Sequence, residues 1–222
     1  GLTSEWTRIM LLRKEYKTVL KQGVLILMPL AMLFSCLYDT ISDDEIVFVA
    51  VGQGDSVHIR AEGHDVLIDG GGQAEDGEDE EDEDSGYNVG KNILMPYLIH
   101  GGADTVDMAL VTHLHADHYK GIQELSEIFP VGAVGIPADY RDADTGFKGK
   151  VIFVNPSAKI EISDEVYIET IWPVEVSDEP VAADDPNEHN SVYMIHYNNL
   201  KIMVTGDLLE EDEQEMIEYY KD

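Results

Sequence analysis

The segment His113-Leu114-His115-Ala116-Asp117-His118 decides the fold of this chain. It follows the apolar run Met108–Val111, so we predict that the histidines lie at the end of a buried strand and that a helix begins just after them. Imidazoles and carboxylates are the ligands that suit zinc, and manganese where oxygen donors are more numerous. The segment therefore predicts a metal site, and a histidine-rich solvated turn is the alternative.

The spacing within this segment favours two metal positions. His113 and His115 are two residues apart at a strand end, where both imidazoles can converge on one ion. Asp117 and His118 are adjacent at the start of the predicted helix and can point to a second ion nearby. The chain has one cysteine, which excludes a paired-thiolate site. Any metal is therefore expected on His, Asp or Glu side chains.

Short β-rich runs precede the histidine segment, and a second group of strands follows it. The predicted strands are 46–51, 56–60, 66–69, 106–112, 131–136, 151–154, 166–171, 191–197 and 200–205. The predicted helices are 88–100, 119–129 and 210–220. Strands first, helices interleaved and a later strand group predict a layered α/β sandwich.

Negative charge dominates all but the N-terminal segment. Residues 1–38 carry five basic and two acidic residues, and subtracting this +3 from the total of −31 leaves −34 for residues 39–222. Within that part, Glu75–Asp84 has nine acids in ten residues, which predicts a solvated loop or disordered insert. So acidic a domain repels polyanions at long range, and its composition does not favour a nucleic-acid binder.

The N-terminal region contains an apolar run, residues 24–38, that comes close to membrane-spanning length when residues 19–23 are added. Basic residues precede this run and acidic residues follow it, which favours a cytoplasmic amino end. We therefore predict a basic cytoplasmic segment over 1–18, a transmembrane helix over 19–38 and a domain over 46–222. A signal peptide ending in a lipoprotein-like motif at Cys36, or a buried core helix, is the alternative.

The sequence resembles the metallo-β-lactamase domain of the bacterial competence DNA-internalisation membrane protein family. The pieces that carry the resemblance are Val51-Gly52-Gln53-Gly54-Asp55-Ser56, Leu67-Ile68-Asp69-Gly70-Gly71-Gly72, Val111-Thr112 with the histidine segment, Asn190-Ser191-Val192 and Val204-Thr205-Gly206-Asp207. The resemblance implies an αββα sandwich that follows a transmembrane helix. The family also has a late His-His-Gly-Ser-like segment, which this chain lacks. We therefore expect a C-terminally incomplete domain and, since the chain opens with Gly1, a piece of a longer protein.

The resemblance also implies roles for the site residues. His113 and His115 would bind one divalent ion, zinc or manganese, and Asp117 and His118 the second. Asp207 would bridge both ions from the turn after a strand. Asp117 would also act in catalysis, orienting the nucleophile or shuttling its proton.

Asp69 would lie beneath the ligands as an acceptor that orients a ligand imidazole, and a plain turn residue is the alternative. A further metal ligand is expected in the loop before Ser191, where Asn187 and His189 are rival occupants. The family usually has an acid immediately before its VGQGD motif, where this chain has Ala50. This departure could weaken metal binding or substrate positioning.

The function that the resemblance implies is phosphodiester hydrolysis of DNA, acting on the strand that is not imported. We expect the hydrolase domain outside the cytoplasm, anchored in the cell membrane through residues 19–38 and working with other DNA-uptake components. Because of the acidic surface, the DNA would be delivered by a channel portion of a longer protein. An inactive extracytoplasmic scaffold of the channel is one alternative, and a membrane-anchored metallo-hydrolase of another substrate class is the other.

Overall fold

The structure, a computed structural model, describes residues 21–33, 44–72, 87–141, 145–176 and 186–221. The chain divides into residues 1–42 and residues 43–222. In the first unit, residues 21–33 form a helix, α1. The predicted acidic loop, Glu75–Asp84, lies outside the described residues.

The transmembrane helix predicted over 19–38 is not supported. Across the described ranges, no helix combines the length and the apolar character that crossing a bilayer requires. The described part of α1 has thirteen residues, whereas a spanning helix needs roughly 20. The remaining residues of the predicted span, 19–20 and 34–38, lie outside the described residues.

The second unit begins with a six-stranded mixed sheet, whose strands follow one another in chain order. The first three strands pair in antiparallel fashion, and the third to sixth strands pair in parallel, so the third strand takes part in both arrangements. The strands are β1 (Glu45–Phe48), β2 (Val57–Ala61), β3 (His64–Ile68), β4 (Met108–Leu110), β5 (Val134–Pro137) and β6 (Val151–Val154). Parallel strands direct their carboxyl ends to one edge of a sheet, which is where the histidine segment follows β4.

The second sheet has four antiparallel strands in the order β10, β9, β8, β7. The strands are β7 (Lys159–Glu161), β8 (Val166–Trp172), β9 (Val192–Tyr197) and β10 (Leu200–Val204). Side chains of β8 alternate strictly between buried and half-buried positions, as expected of a strand with one face on the core.

Three apolar clusters show the layers. One lies between the first sheet and the helices α2 (Met95–His100, entered through π-helical turns at Gly90–Leu94) and α3 (Ala116–Ile128). The second lies between the two sheets, and the third lies between the second sheet and α4 (Glu210–Tyr219). The predicted αββα sandwich is therefore confirmed as the architecture of the described residues.

Several predicted boundaries were wrong. The strand predicted over 106–112 pairs only at Met108–Leu110, because Val106 forms a single bridge to Val131 and residues after Leu110 turn into the site. The strand predicted over 131–136 accordingly begins at Val134. Strand β7 was missed, because its three residues include one apolar side chain between two charged ones.

Candidate metal centre

The histidine segment forms the connection between β4 and α3. The segment leaves the sheet after Leu110, and His115, with extended backbone angles, stands immediately before the first residue of α3. Backbone N–H groups of His118 and Tyr119 donate to the His115 carbonyl and close the first helical turn. The segment therefore lies between a strand and a helix as predicted, although the strand ends at Leu110 and the helix begins at Ala116.

Three of the predicted ligands are close enough to hold one ion. His113, His115 and Asp207 each offer one ligand atom, and these atoms lie within 4.8 Å of one another. The His113 Nε2 atom is 3.1 Å from His115 Nδ1 and 4.0 Å from Asp207 Oδ2. His113 is fully buried and the Asp207 side chain is 46% exposed, so the cluster opens to solvent on the Asp207 side.

His118 meets Asp207 from the other side. Its Nε2 atom is 3.3 Å from Asp207 Oδ1, and its ring centroid is 4.3 Å from that of His113. The two carboxylate oxygens of Asp207 therefore face two different imidazoles. The structure brings His113, His115, His118 and Asp207 together, and the charge of the Asp117 carboxylate contributes to raising the pKa of His118.

A buried carboxylate lies behind the histidines. Asp69 Oδ2 accepts hydrogen bonds from His118 Nδ1 at 3.0 Å and from the Thr112 hydroxyl at 2.7 Å, and Oδ1 accepts from the Thr112 backbone N–H at 2.8 Å. Thr112 Oγ1 lies in turn 3.0 Å from His113 Nδ1. Because the hydroxyl donates to Asp69, it accepts from the His113 N–H, which leaves the His113 Nε2 lone pair directed at the cluster.

Asp69 occupies an unusual backbone position for this task. It has a φ of 56°, in the left-handed region, and no exposed surface. The adjacent Gly70 and Gly71 let the turn lie directly on α3, with the Gly70 N–H donating to the His118 carbonyl and the Gly121 N–H donating to Gly71. The turn that holds the carboxylate is thus fixed by the helix that carries His118.

The electrostatics of the two buried histidines are opposite. Burial and the neighbouring His118 and His115 lower the pKa of His113 to about 3, so this ring is neutral and available as a ligand. Burial alone would lower the pKa of His118, but the hydrogen bond to Asp69 and the carboxylates of Asp69, Asp207 and Asp117 raise it to about 9. The carboxylates around His118 therefore give its surroundings a negative electrostatic potential.

Asn190 also belongs to the site, although sequence reasoning assigned it no role. Its Nδ2 donates to the Thr205 carbonyl at 2.7 Å, and its Oδ1 accepts from the Asp207 N–H at 3.2 Å. Burial lowers the pKa of His113, and Asn190 opposes this with a smaller raising effect. Asn190 and Thr112 both lie within the motif segments that carry the family resemblance, so a signal was present, but residue type alone did not reveal these contacts.

His189 lies elsewhere. Its Nδ1 atom is 3.9 Å from the carboxylate of Asp139, and its ring contacts Tyr140 edge-on at 5.9 Å between centroids. Among the described residues, the metal-holding group does not include His189. Its rival Asn187 is half-buried in the same short 3₁₀ segment. A metal-binding role for His189 stays a prediction, which this geometry does not favour.

The loop after β1 packs against the start of α3. A Cβ on Gly54 would overlap the backbone carbonyl of Asp117, and Gly54 has a φ of 71°. This contact explains why the second glycine of the VGQGDS segment is a glycine, and it fixes the first turn of the helix. Ala50 is exposed in the same connection.

The donor set fits divalent ions. His113 and His115 with the Asp207 carboxylate form one group that could hold an ion, and His118 lies against the other oxygen of Asp207. Imidazoles and carboxylates are ligands that zinc and manganese accept. A divalent ion bound there would activate water as a nucleophile and stabilise developing negative charge.

One protein-family model covers most of the chain. The sequence matches the family model of the metallo-beta-lactamase superfamily over residues 49–221. It is 26% identical over 205 residues to ComE operon protein 3 of Bacillus subtilis (strain 168), covering 87% of this chain and 25% of that protein. The chain thus spans about a quarter of the length of this curated relative.

One solved structure shares this architecture. A metallo-β-lactamase with a HARLDQ motif from Cronobacter sakazakii superposes with a TM-score of 0.51 and 12% identity, over 74% of this chain and 61% of that one. The metallo-β-lactamase GOB-18 from Elizabethkingia meningoseptica gives a TM-score of 0.49 and 11% identity, over 80% and 65% of the two chains. The first likeness shows a shared fold alone, since the identity is so low.

Proposed function

The chain belongs to the metallo-β-lactamase superfamily, and on that premise we propose that residues 46–222 form a two-ion phosphodiesterase acting on DNA. The relation to a competence protein is shown by the similarity to ComE operon protein 3. The reaction, the number of ions and the substrate are the parts that we propose.

The observation that carries the proposal is the position of Asp207. Its two oxygens lie 4.0 Å from His113 Nε2 and 3.3 Å from His118 Nε2, so one carboxylate faces both imidazole positions. A carboxylate between two histidine groups is the arrangement expected of a ligand that bridges paired ions, which suit in-line displacement at phosphorus. We therefore assign His113 and His115 to one ion, His118 to the other and Asp207 to both.

The remaining residues would orient these ligands and move a proton. Asp69 holds the Nδ1–H of His118, so Nε2 is directed at the cleft. Asp117, in the first turn of α3, would complete the second position and accept the proton of the attacking water. Because the carboxylates and imidazoles are already held in place, the site needs less reorganisation during the reaction.

DNA is proposed as substrate on the strength of the relation to ComE operon protein 3. The net charge of −34 on residues 39–222, obtained by subtracting +3 for residues 1–38 from −31, opposes unaided capture of a polyanion. We propose that a channel portion outside this chain delivers the strand. The extracytoplasmic position of the domain and its membrane anchor also stay predictions.

The experiment compares substrates on the zinc- or manganese-loaded chain: single-stranded DNA, bis(p-nitrophenyl) phosphate and a chromogenic β-lactam. We expect hydrolysis of both phosphodiesters, with DNA cleavage rising as salt screens the acidic surface. Asp207→Ala should reduce the rate at least about a hundredfold, because several kcal/mol of charge stabilisation depend on the ions. The exposed Asp164→Ala is the matched control.

Two results would overturn the proposal. One is a metal-loaded wild-type chain that leaves both phosphodiesters intact at every salt concentration. The other is full activity in Asp207→Ala. Turnover of the β-lactam alone would replace the phosphodiesterase with a hydrolase of another substrate class.

A further inference from the structure

Asn190 makes three contacts that join separate segments of the metal centre. The residue is 3% exposed and stands between the short 3₁₀ segment at Pro186–His189 and strand β9. Its amide group donates to Thr205 at 2.7 Å and accepts from Asp207 at 3.2 Å, so it binds both sides of the turn after β10. Its third contact runs from Nδ2 to the Ser191 carbonyl at 3.4 Å.

The turn that Asn190 holds has little freedom to adopt another position. Gly206 has a φ of 53°, and a Cβ there would lie 2.7 Å from the Thr112 hydroxyl and closer still to Asn190 Oδ1. The Ser191 N–H donates to the Thr112 carbonyl at 2.8 Å, which ties the residue after Asn190 to the segment that carries His113. The amide therefore lies in a close-packed junction between the two sheets.

We propose that Asn190 is a positioning residue for metal binding, a role that rests on the two-ion function proposed above. Of the three groups that can hold one ion, Asp207 is the one that Asn190 holds directly, by accepting from its backbone N–H. The orientation of His118 is set by Asp69. Because Asp207 is assigned to both ions, Asn190 acts on the whole metal centre through that carboxylate.

Both halves of the amide are needed for this role. The donor reaches Thr205 and the acceptor reaches Asp207, two residues apart across the Gly206 turn. Serine keeps a polar atom but is too short to span the turn. Removing a residue that holds a metal ligand in place typically lowers metal affinity by about 10- to 100-fold.

The test is a chelator-buffered zinc titration of the full chain, with zinc per chain measured by plasma mass spectrometry. The variants are Asn190→Ala and Asn190→Ser, and the matched control is Asn199→Ala, in the exposed turn between β9 and β10. We expect both Asn190 variants to bind zinc about 10- to 100-fold more weakly than the wild type, and Asn199→Ala to bind zinc as the wild type does. Histidine NMR should still show His118 ligated, and hydrogen exchange of the Asp207 amide should accelerate in the zinc-free variants.

The outcomes separate this proposal from the one it rests on. Wild-type zinc affinity in both Asn190 variants, unchanged exchange of the Asp207 amide, or loss of the fold in both variants would overturn the positioning role. Failure of the wild-type chain to bind two ions would overturn the two-ion function itself and the positioning role with it.

Discussion

The substitution Asp69→Asn removes a buried charge without changing the shape of the side chain. Asp69 lies in left-handed backbone at a φ of 56°, and asparagine is one of the few residues that tolerate that region. The carboxylate accepts two hydrogen bonds from Thr112 and one from His118. In the variant, the Thr112 backbone N–H keeps an oxygen acceptor and the hydroxyl can rotate to accept, but His118 Nδ1 faces an NH₂ group.

The energetic consequence follows from that single mismatch. A hydrogen bond to a charged group contributes about 1.5–3 kcal/mol, so we expect the zinc-free protein to lose about 2 kcal/mol of stability. To accept from the new NH₂ group, His118 must move its proton to Nε2, the atom that faces Asp207. Metal affinity should fall by about 10- to 100-fold, the range typical of a lost partner of a ligand.

The assay is zinc competition against a chromophoric chelator over pH 7–9, with the His118 tautomer read by nitrogen-15 NMR. Burial lowers the pKa of His118, but Asp69 and the other nearby carboxylates raise it to about 9. Below pH 9, a proton on His118 therefore competes with zinc in the wild type. The difference in zinc affinity between the wild type and the variant should grow as pH rises. Equal affinities at pH 9, or an unchanged His118 tautomer, would refute this reasoning; the exposed Asp164→Asn serves as control.

Three further predictions concern protonation, the loop before the site and the sheet. Zinc affinity of the wild type should fall about tenfold for each pH unit below 9, because binding displaces the Nε2 proton of His118, and a pH-independent titration would contradict this. Gly54→Ala should weaken zinc binding by displacing the Asp117 backbone, whereas Gly52→Ala, at a φ of 97° with open space, should affect stability alone in the same titration. Asp65→Ala should lower the free energy of unfolding, measured in urea, by about 3–5 kcal/mol, because it leaves the buried charge of Arg60 without its carboxylate partner. Zinc per chain should stay unchanged in this variant.

The sequence allowed much of the layered fold to be predicted, because its apolar periodicities match the faces that pack. Strand β8, with strict alternation, and helix α3, with apolar spacing at Ile122 and Leu125, are such cases. Strand ends were less predictable, since pairing at Val106 depends on a distant partner, Val131. Strand β7 is held by its pairing with β8 rather than by its own composition.

The site was predictable to the extent that its residues cluster along the chain. The histidine segment indicated a metal centre because several ligand types lie within six residues. Asp207 and Asp69 needed the family resemblance, since neither is distinguished by composition. The contacts of Asn190 and Thr112 could not be predicted, because they depend on how closely the two sheets approach and not on any local pattern.

The meeting of the two sheets beneath the metal centre has a consequence for the stability of the whole domain. The buried Tyr193 donates its hydroxyl hydrogen to the Val111 carbonyl at 3.0 Å, and Ser191 reaches Thr112, so the second sheet is fastened to the first directly behind the histidines. Ions bound by both His113 and Asp207 would link the two sheets, and any separation of the sheets would weaken the binding of those ions. A chelator should therefore act as a mild denaturant of this domain, and apo protein should first open along this seam while α3 remains packed on its own sheet.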